Sequence, residues 1–215
     1  MEKPLNAITA VKERKAYLFT KRLLDIVLSL MGLIIISPLI LIVAVLIKVE
    51  DRNGPIFFSQ TRVGKNGNKF KIYKFRSMVS NAEELLIDLL DQNETTGAMF
   101  KIKKDPRITK IGKFIRKTSI DELPQLINVI KGEMSLVGPR PPLPREVEEY
   151  TEFHKQRLLV KPGCTGLWQI SGRSNIGFEK MVELDLEYIS KENIFFDIYI
   201  ILITIKIMIW SKDAF

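Results

Sequence analysis

Two adjacent carboxylates, Asp121 and Glu122, follow a run that is otherwise basic: Lys101, Lys103, Lys104, Arg107, Lys110, Lys113, Arg116 and Lys117. A carboxylate at a helix start beside so many cations is placed to meet a phosphate and to share a divalent cation such as Mg2+ with it. Attack by an aspartate oxygen on phosphorus would give an acyl phosphate and split one displacement into two, while cations offset the repulsion between carboxylate and pyrophosphate. The same residues have a plainer reading. Ser119 and Glu122 form S-x-x-E, a capping box, ahead of Leu123, Leu126, Ile127 and Ile130, whose spacing is that of a core-facing helical stripe. Spacing alone favours the cap over the catalyst.

Other chemistries are narrowed by what the chain lacks. With one Cys, Cys164, and one His, His154, it has neither an intrachain disulfide nor the usual zinc sets, and His154 in a charged stretch reads as a solvated residue. Acid or base chemistry therefore falls to carboxylates. No GxxxxGK[ST], GxGxxG or GxSxG occurs, so P-loop, Rossmann and esterase-elbow geometries are excluded. Gly138-Pro-Arg-Pro-Pro142 is a rigid turn that would aim Arg140 as phosphate recognition requires, or an ordinary Pro-rich loop. Trp168, Gln169 and Arg173 lie among the turns Lys161 to Gly166 and Ser171 to Ser174 and read either as a base or sugar pocket or as turns against the core.

Several elements must position these groups. Ile26 to Ile47 runs for 22 residues without a charge, enough for a membrane helix. Ser37-Pro38 divides it, so a kinked spanning helix and a hairpin that enters and leaves on one face are both open. Lys12, Arg14, Lys15, Lys21 and Arg22 precede the run and Lys48, Arg52 and Arg62 follow it, a pattern that would keep both flanks on the cytoplasmic side. The second apolar stretch, Ile194 to Trp210, carries Asp197 and Lys206 and reads as an amphipathic interfacial helix. Between them, Pro55 to Gln60 and Lys69 to Lys74 read as strands of a hairpin around an Asn-Gly turn. Ser80 to Glu83 opens a capped helix before the loop Asn93 to Gly97, and further helices are predicted over 109–117, 119–131, 144–159 and 178–191.

Composition agrees with a folded chain: 215 residues, 46% hydrophobic and 27% charged, with a net charge of +8. Residues 59–118 hold 14 Lys and Arg against 6 Asp and Glu, so the whole excess sits in the middle and attracts phosphates. A nucleic-acid partner is disfavoured, because no binding motif accompanies the charge and a membrane segment does.

Taken in order, Lys21-Arg-Leu-Leu-Asp25, the apolar run with Ser37-Pro38, Tyr73-Lys-Phe-Arg-Ser-Met78, Asp105-Pro-Arg107, Arg116 to Gln125, Gly132 to Pro141 and Lys161 to Arg173 form a pattern. It resembles the bacterial sugar transferases, the monotopic polyprenyl-phosphate phosphoglycosyl transferases, from about residue 20 onward. The resemblance implies an α+β, predominantly helical fold with small antiparallel β-hairpin elements, a re-entrant membrane helix hairpin and interfacial amphipathic helices. It divides the chain into an N-terminal extension (1–20), the membrane hairpin (21–50) and a catalytic domain at the cytoplasmic face (51–215) that ends in the interfacial helix 194–210. It implies transfer of a sugar 1-phosphate from a UDP-sugar to undecaprenyl phosphate, with release of UMP, at the bacterial inner membrane in glycan assembly. Asp121 is then the nucleophile, assisted by Glu122 and Mg2+; Arg76, Arg107, Arg116, Arg140 and Arg173 become phosphate or structural partners; Ser37 and Pro38 form the kink. The chain reads as the family's minimal catalytic unit, with the sugar and the oligomeric state, a homo-oligomer included, left open. The competing reading is a non-catalytic basic membrane-anchored adaptor in which Asp121 and Glu122 only cap a helix.

Overall fold

The computed structural model describes residues 15–82, 84–89, 102, 105–172 and 176–210. Helix α1, Lys15–Glu50, holds the entire apolar run. Pro38 removes the amide that would bond the Ile34 carbonyl, and the Ser37 hydroxyl donates to that carbonyl at 2.8 Å instead. This replacement lets the chain stay helical through the proline, so the expected pair of hairpin helices is met by one helix with Pro38 inside it. Among the described residues α1 alone has the length and hydropathy to cross a membrane, and it is a membrane-associating helix: only 11% of its most apolar window is buried. Ile34, Ile35, Leu41 and Val45 stand exposed on it.

Both ends of α1 are tied to the rest of the molecule by polar groups. Near its start, Arg22 donates to the carbonyls of Val129 and Ile130 at 2.6 and 2.8 Å, and Asp25 accepts from the Leu136 amide and Ser135 hydroxyl at 2.9 and 3.1 Å. At its end, Glu50 accepts from the amides of Lys110 and Ile111 at 2.7 and 3.2 Å.

Strands β1 (Phe57–Val63) and β2 (Lys69–Phe75) form the expected antiparallel hairpin, paired Phe57 to Phe75 through Val63 to Lys69. Its turn places Asn66 at φ 57° and Gly67 at φ 80°, the left-handed conformations that an Asn-Gly turn supplies. The helix expected after Ser80 is the short α2, Glu84–Ile87, and Ser80 does not cap it: its hydroxyl donates to Asp51 at 2.8 Å. The loop 93–97 lies outside the described residues.

Helix α3, Lys110–Lys117, starts as expected, with Thr109 capping the Gly112 amide. It is amphipathic, with Ile115 buried, Phe114 exposed and cations around the exposed face. The helix expected over 119–131 splits into a single 3-10 turn at Ile120–Glu122 and helix α4, Gln125–Lys131, because Pro124 has no amide to continue the first into the second. The face assignment also changes. Gln125, Asn128 and Val129 are the buried positions of α4, while Ile127 of the supposed core stripe is exposed.

The region 144–159 likewise breaks into α5 (Pro144–Glu148), α6 (Glu152–Lys155) and a 3-10 turn, with Tyr150 buried between the two helices. Strands β3 (Ser135–Val137) and β4 (Gly163–Thr165) pair in parallel, a pairing that sequence reading missed. There is no room for a side chain at the crossing, since a Cβ on Gly163 would collide with the backbone of Gly138. Helix α7, Leu167–Ile170, precedes α8, Phe178–Lys191, which matches expectation, and α9, Ile194–Trp210. Helix α9 is apolar almost all round rather than amphipathic, because Asp197 is turned inward onto Lys21 at 2.8 Å and Tyr188 at 2.6 Å. Its outer face leaves Phe195, Tyr199 and Leu202 exposed.

Three apolar clusters hold these elements together. Val137, Val182, Leu186, Ile189 and Ile200 join α8 and α9 to β3; Val43, Ile47, Phe75 and Ile115 join α1 to β2 and α3; Ile72, Val129 and Met134 join the hairpin to α4.

Candidate active site

Asp121 sits in the 3-10 turn between α3 and α4, entered through Ser119 at φ 55°, a left-handed conformation that is costly for a residue with a Cβ. Ser119 makes no side-chain cap, so the capping-box reading fails: the carboxylates are not there to finish a helix. Asp121 is only 5% exposed, and its Oδ1 is buried with no hydrogen-bond partner. Burial pushes its carboxyl up to about 6; Lys74 opposes the rise, Glu122 adds to it and Arg116 opposes it, in falling order.

Glu122 is held at 2.6 Å by Lys74 from β2. The strand fixes this contact, because Asn128 of α4, fully buried, accepts from the Tyr73 amide at 3.1 Å and donates to the Lys71 carbonyl at 2.7 Å. Asn128 therefore sets the register between the hairpin and the segment that bears Asp121. Lys74 was not among the expected site residues. The signal was present: alternation along β2 puts it on the same face as the buried Ile72, so this lysine must point inward.

Arg62 is a second inward cation by the same alternation, across from Phe70 in the sheet. Its guanidinium is buried, donates to the Pro141 carbonyl at 3.2 Å and to Gln60 at 2.9 Å, and leaves Nε without a partner. Burial, together with the charge of Arg140, lowers it to about 10, and Glu146 and Glu122 counter them. Arg62 thus bonds the Gly138–Pro142 turn and lies near enough to Glu122 to feel its charge. Arg140 of that turn pairs with Glu146 at 3.2 Å, and its carbonyl accepts from Arg157 at 3.3 Å.

The expected arginines separate into groups. Arg116 is near enough to act on Asp121 electrostatically, and Arg140 belongs with Arg62. Arg76 is turned away into the exit of α1, where it pairs with Asp51 at 3.0 Å and donates to the Asp51 carbonyl at 3.1 Å. Arg107 forks onto Asp105 at 2.7 and 3.0 Å and donates to the Ala82 carbonyl. Arg173 lies outside the described residues. Trp168 and Gln169 lie on α7, with Trp168 Nε1 and Gln169 Oε1 buried and unpartnered. His154 is packed against Phe178 and Tyr150 rather than solvated, its ring 5.1 Å from that of Phe178.

Mg2+ is held through one or two carboxylates completed by substrate phosphates and water. Asp121 Oδ1, buried and unpartnered, with Glu122 adjacent, fits such a donor set; no cluster of three acids, histidines or cysteines exists among the described residues to form an all-protein cage.

A family model described as bacterial sugar transferase matches residues 16–211. The galactosyl transferase CpsE of Streptococcus agalactiae serotype III is 54% identical over 202 residues, covering 93% of this chain and 44% of that protein. The undecaprenyl-phosphate galactose phosphotransferase of Salmonella typhimurium is 46% identical over 201 residues, 92% of this chain and 42% of the relative. The exopolysaccharide production protein ExoY of Sinorhizobium fredii is 40% identical over 200 residues, with 91% of this chain and 88% of ExoY aligned. The chain thus spans less than half of the two larger relatives and most of the smaller one. With nearly its whole length inside the matched region, the chain belongs to the bacterial sugar transferase family.

Proposed function

We propose that this chain transfers a sugar 1-phosphate from a UDP-sugar to undecaprenyl phosphate by way of a phosphosugar on Asp121. The observation that carries the reading is the state of Asp121: a carboxylate buried with an unpartnered oxygen, raised toward neutrality and faced by cations. In the first step an Asp121 oxygen attacks the phosphorus that bears the sugar; the bond from that phosphorus to the UMP oxygen breaks, and UMP leaves. In the second, an oxygen of undecaprenyl phosphate attacks the same phosphorus and Asp121 leaves as a carboxylate. Lys74 holds Glu122 beside the nucleophile, and Arg116, Arg62 and Arg140 supply positive charge along the path of the diphosphate. Mg2+, held by Asp121 and Glu122 with the phosphates, would neutralise charge on the phosphate of the leaving UMP.

The chain works from one side of the membrane, as a re-entrant anchor with residues 51–215 as the catalytic domain at the cytoplasmic face. Supporting this, Arg22 at the start of α1 binds α4 while Glu50 at its end binds α3, and the two bound helices are joined by only the short turn that carries Asp121. A spanning α1 would put those anchors on opposite faces of the bilayer. Basic residues on both flanks support a folded part on the cytoplasmic side of the bacterial inner membrane, and the exposed Phe114 of α3 and outer face of α9 support a contact of both with lipid.

The test is UMP release by protein in nanodiscs with undecaprenyl phosphate, Mg2+ and a panel of UDP-sugars. One donor should turn over, and D121N should abolish release together with the acid-stable mass increment of one phosphosugar on the protein. Sustained UMP release by D121N would refute the mechanism.

A further inference from the structure

One stretch of α1 differs from the rest of its apolar surface. Leu41, Ala44, Val45, Lys48 and Val49 share a face of its last turns and, with Arg52 and Ile56 beyond its end, line an open groove of about 460 Å³. The far wall is the turn from Asp51 to Ile56, and this wall is held rigidly. Arg76 grips Asp51 through both carbonyl and carboxylate, Lys48 donates to the carbonyls of Arg52 and Gly54 at 3.1 and 2.9 Å, and a Cβ on Gly54 would collide with the Arg76 guanidinium. Arg76 thus shapes this wall. From Leu41 to Val49 the helix rises roughly 12 Å, somewhat under half the hydrocarbon thickness of a bilayer. The body of the groove is aliphatic, and its rim carries two cations. Lys48 is committed to backbone carbonyls, which leaves the exposed Arg52 for an anion.

The geometry points to this groove as the seat of the acceptor lipid: a polyprenyl phosphate with its first isoprene units along Leu41, Ala44 and Val45 and its phosphate at Arg52. The inference rests on the proposed transfer to such a lipid. Charge and apolar surface are matched to a single-chain amphiphile with an anionic head. The position is matched as well, because Ala44 and Ile56 pack on the same Val43, Ile47, Phe75 and Ile115 core as Ile120, the residue before Asp121. A second opening, lined by Lys191, Asn193, Phe195 and Phe196, shares no residue with that core.

Two measurements test the assignment. In nanodiscs, a polyprenyl phosphate with a diazirine in its first isoprene units should label the segment 41–56, with undecaprenyl phosphate competing and equimolar phosphatidylglycerol not competing. Labelling elsewhere, or equal competition by phosphatidylglycerol, overturns the site in favour of a general lipid crevice. Val45→Trp fills the groove from a side chain that is 61% exposed, and Arg52→Glu reverses the rim charge. Each should raise the KM for undecaprenyl phosphate about tenfold or more while leaving intact the single equivalent of UMP released from the donor without acceptor. An unchanged acceptor KM in Arg52→Glu also overturns it. Wild-type protein that releases no UMP from any donor counts against the transfer reaction, and the labelling experiment then still decides the groove.

Discussion

Asp121 and Asp185 are both removed from water, at 5% and 1% exposure, both are pushed up to about 6 by burial, and each keeps a buried Oδ1 without a hydrogen-bond partner, yet the cations around them are placed differently. Asp185 on α8 is met by the equally buried Arg157, which donates from Nε at 2.8 Å and pairs through Nη2 at 2.6 Å; Tyr150 closes the guanidinium from the other side at 2.6 Å. That cluster staples α8 to the turn after α6 and, through the Arg140 carbonyl, to the Gly138–Pro142 turn. Around Asp121 the cations are close but engaged elsewhere: Lys74 holds Glu122, and Arg116 acts at a distance. Burial alone therefore does not mark a reactive carboxylate. The difference lies in the cations: Asp185 is paired in contact with Arg157, whereas Lys74, the cation that acts most on Asp121, is paired with Glu122 instead.

The largest expected effects break the two sites apart. D121N should lower turnover by about a thousandfold or more, measured as UMP release. Its stability should change in the opposite sense. A carboxyl raised from 3.8 to about 6 on folding favours the folded state fully below pH 4, and that contribution is lost as pH rises through 6. D121N lacks the loss, so near pH 8 it should be more stable than wild type by on the order of 2 kcal/mol, with the difference vanishing near pH 4. The Asp185 carboxyl is raised by burial as well, but D185N differs in what it leaves behind: the Arg157 guanidinium stays buried without its counter-charge, so D185N should destabilise at neutral pH. Thermal melts in nanodiscs at pH 8 and pH 4 measure both; destabilisation of D121N to the extent of D185N would make Asp121 a structural residue.

The contrast also explains what was legible in the sequence. The apolar run, the Asn-Gly hairpin and the helix 178–191 all depend on local pattern, and local pattern recovered them. The cap at Ser119 was a false local signal, because S-x-x-E spacing says nothing about the left-handed backbone that tertiary packing imposes there. Of the stripe Leu123, Leu126, Ile127 and Ile130, the first two and the last are half-buried and Ile127 alone stands exposed, for a different reason. In a protein that sits in lipid, an apolar helix face has two apolar destinations, and periodicity does not choose between them. Lys74 and Arg62 were missed because their roles arise from strand register against α4 and the Pro141 carbonyl, contacts between residues distant in the chain. The parallel pair β3 and β4 was missed because each strand has only three residues.

A middle-sized effect sharpens the electrostatics of the proposed site. The rate at low substrate should fall tenfold per pH unit below about 6 as Asp121 protonates in the free enzyme. Lys74 opposes the rise in the Asp121 carboxyl, so Lys74→Met should move this acid limb to higher pH; Glu122 adds to the rise, so Glu122→Gln should move it to lower pH in the residual activity. Opposite shifts in the two variants place the limb on Asp121, whereas a limb unmoved by either would assign it to another group.

The smallest effect tests whether the two clusters are separate at all. Tyr150→Phe removes the oxygen that accepts from Arg157 Nη1 and leaves a buried donor unsatisfied, for a loss of about 1 to 2 kcal/mol in stability. Neither Tyr150, Arg157 nor Asp185 figures among the groups that act on Asp121, so the acid limb should stay where it is. A chain of contacts nevertheless connects them: Arg157 bonds the Arg140 carbonyl, the Arg140 charge bears on Arg62, and Arg62 feels Glu122. If Tyr150→Phe displaces the limb as far as Lys74→Met does, that chain transmits, and the staple at Asp185 is part of what sets the reactivity of Asp121. A stability loss with the limb unmoved separates a cluster that holds the fold from a carboxylate that the fold holds ready.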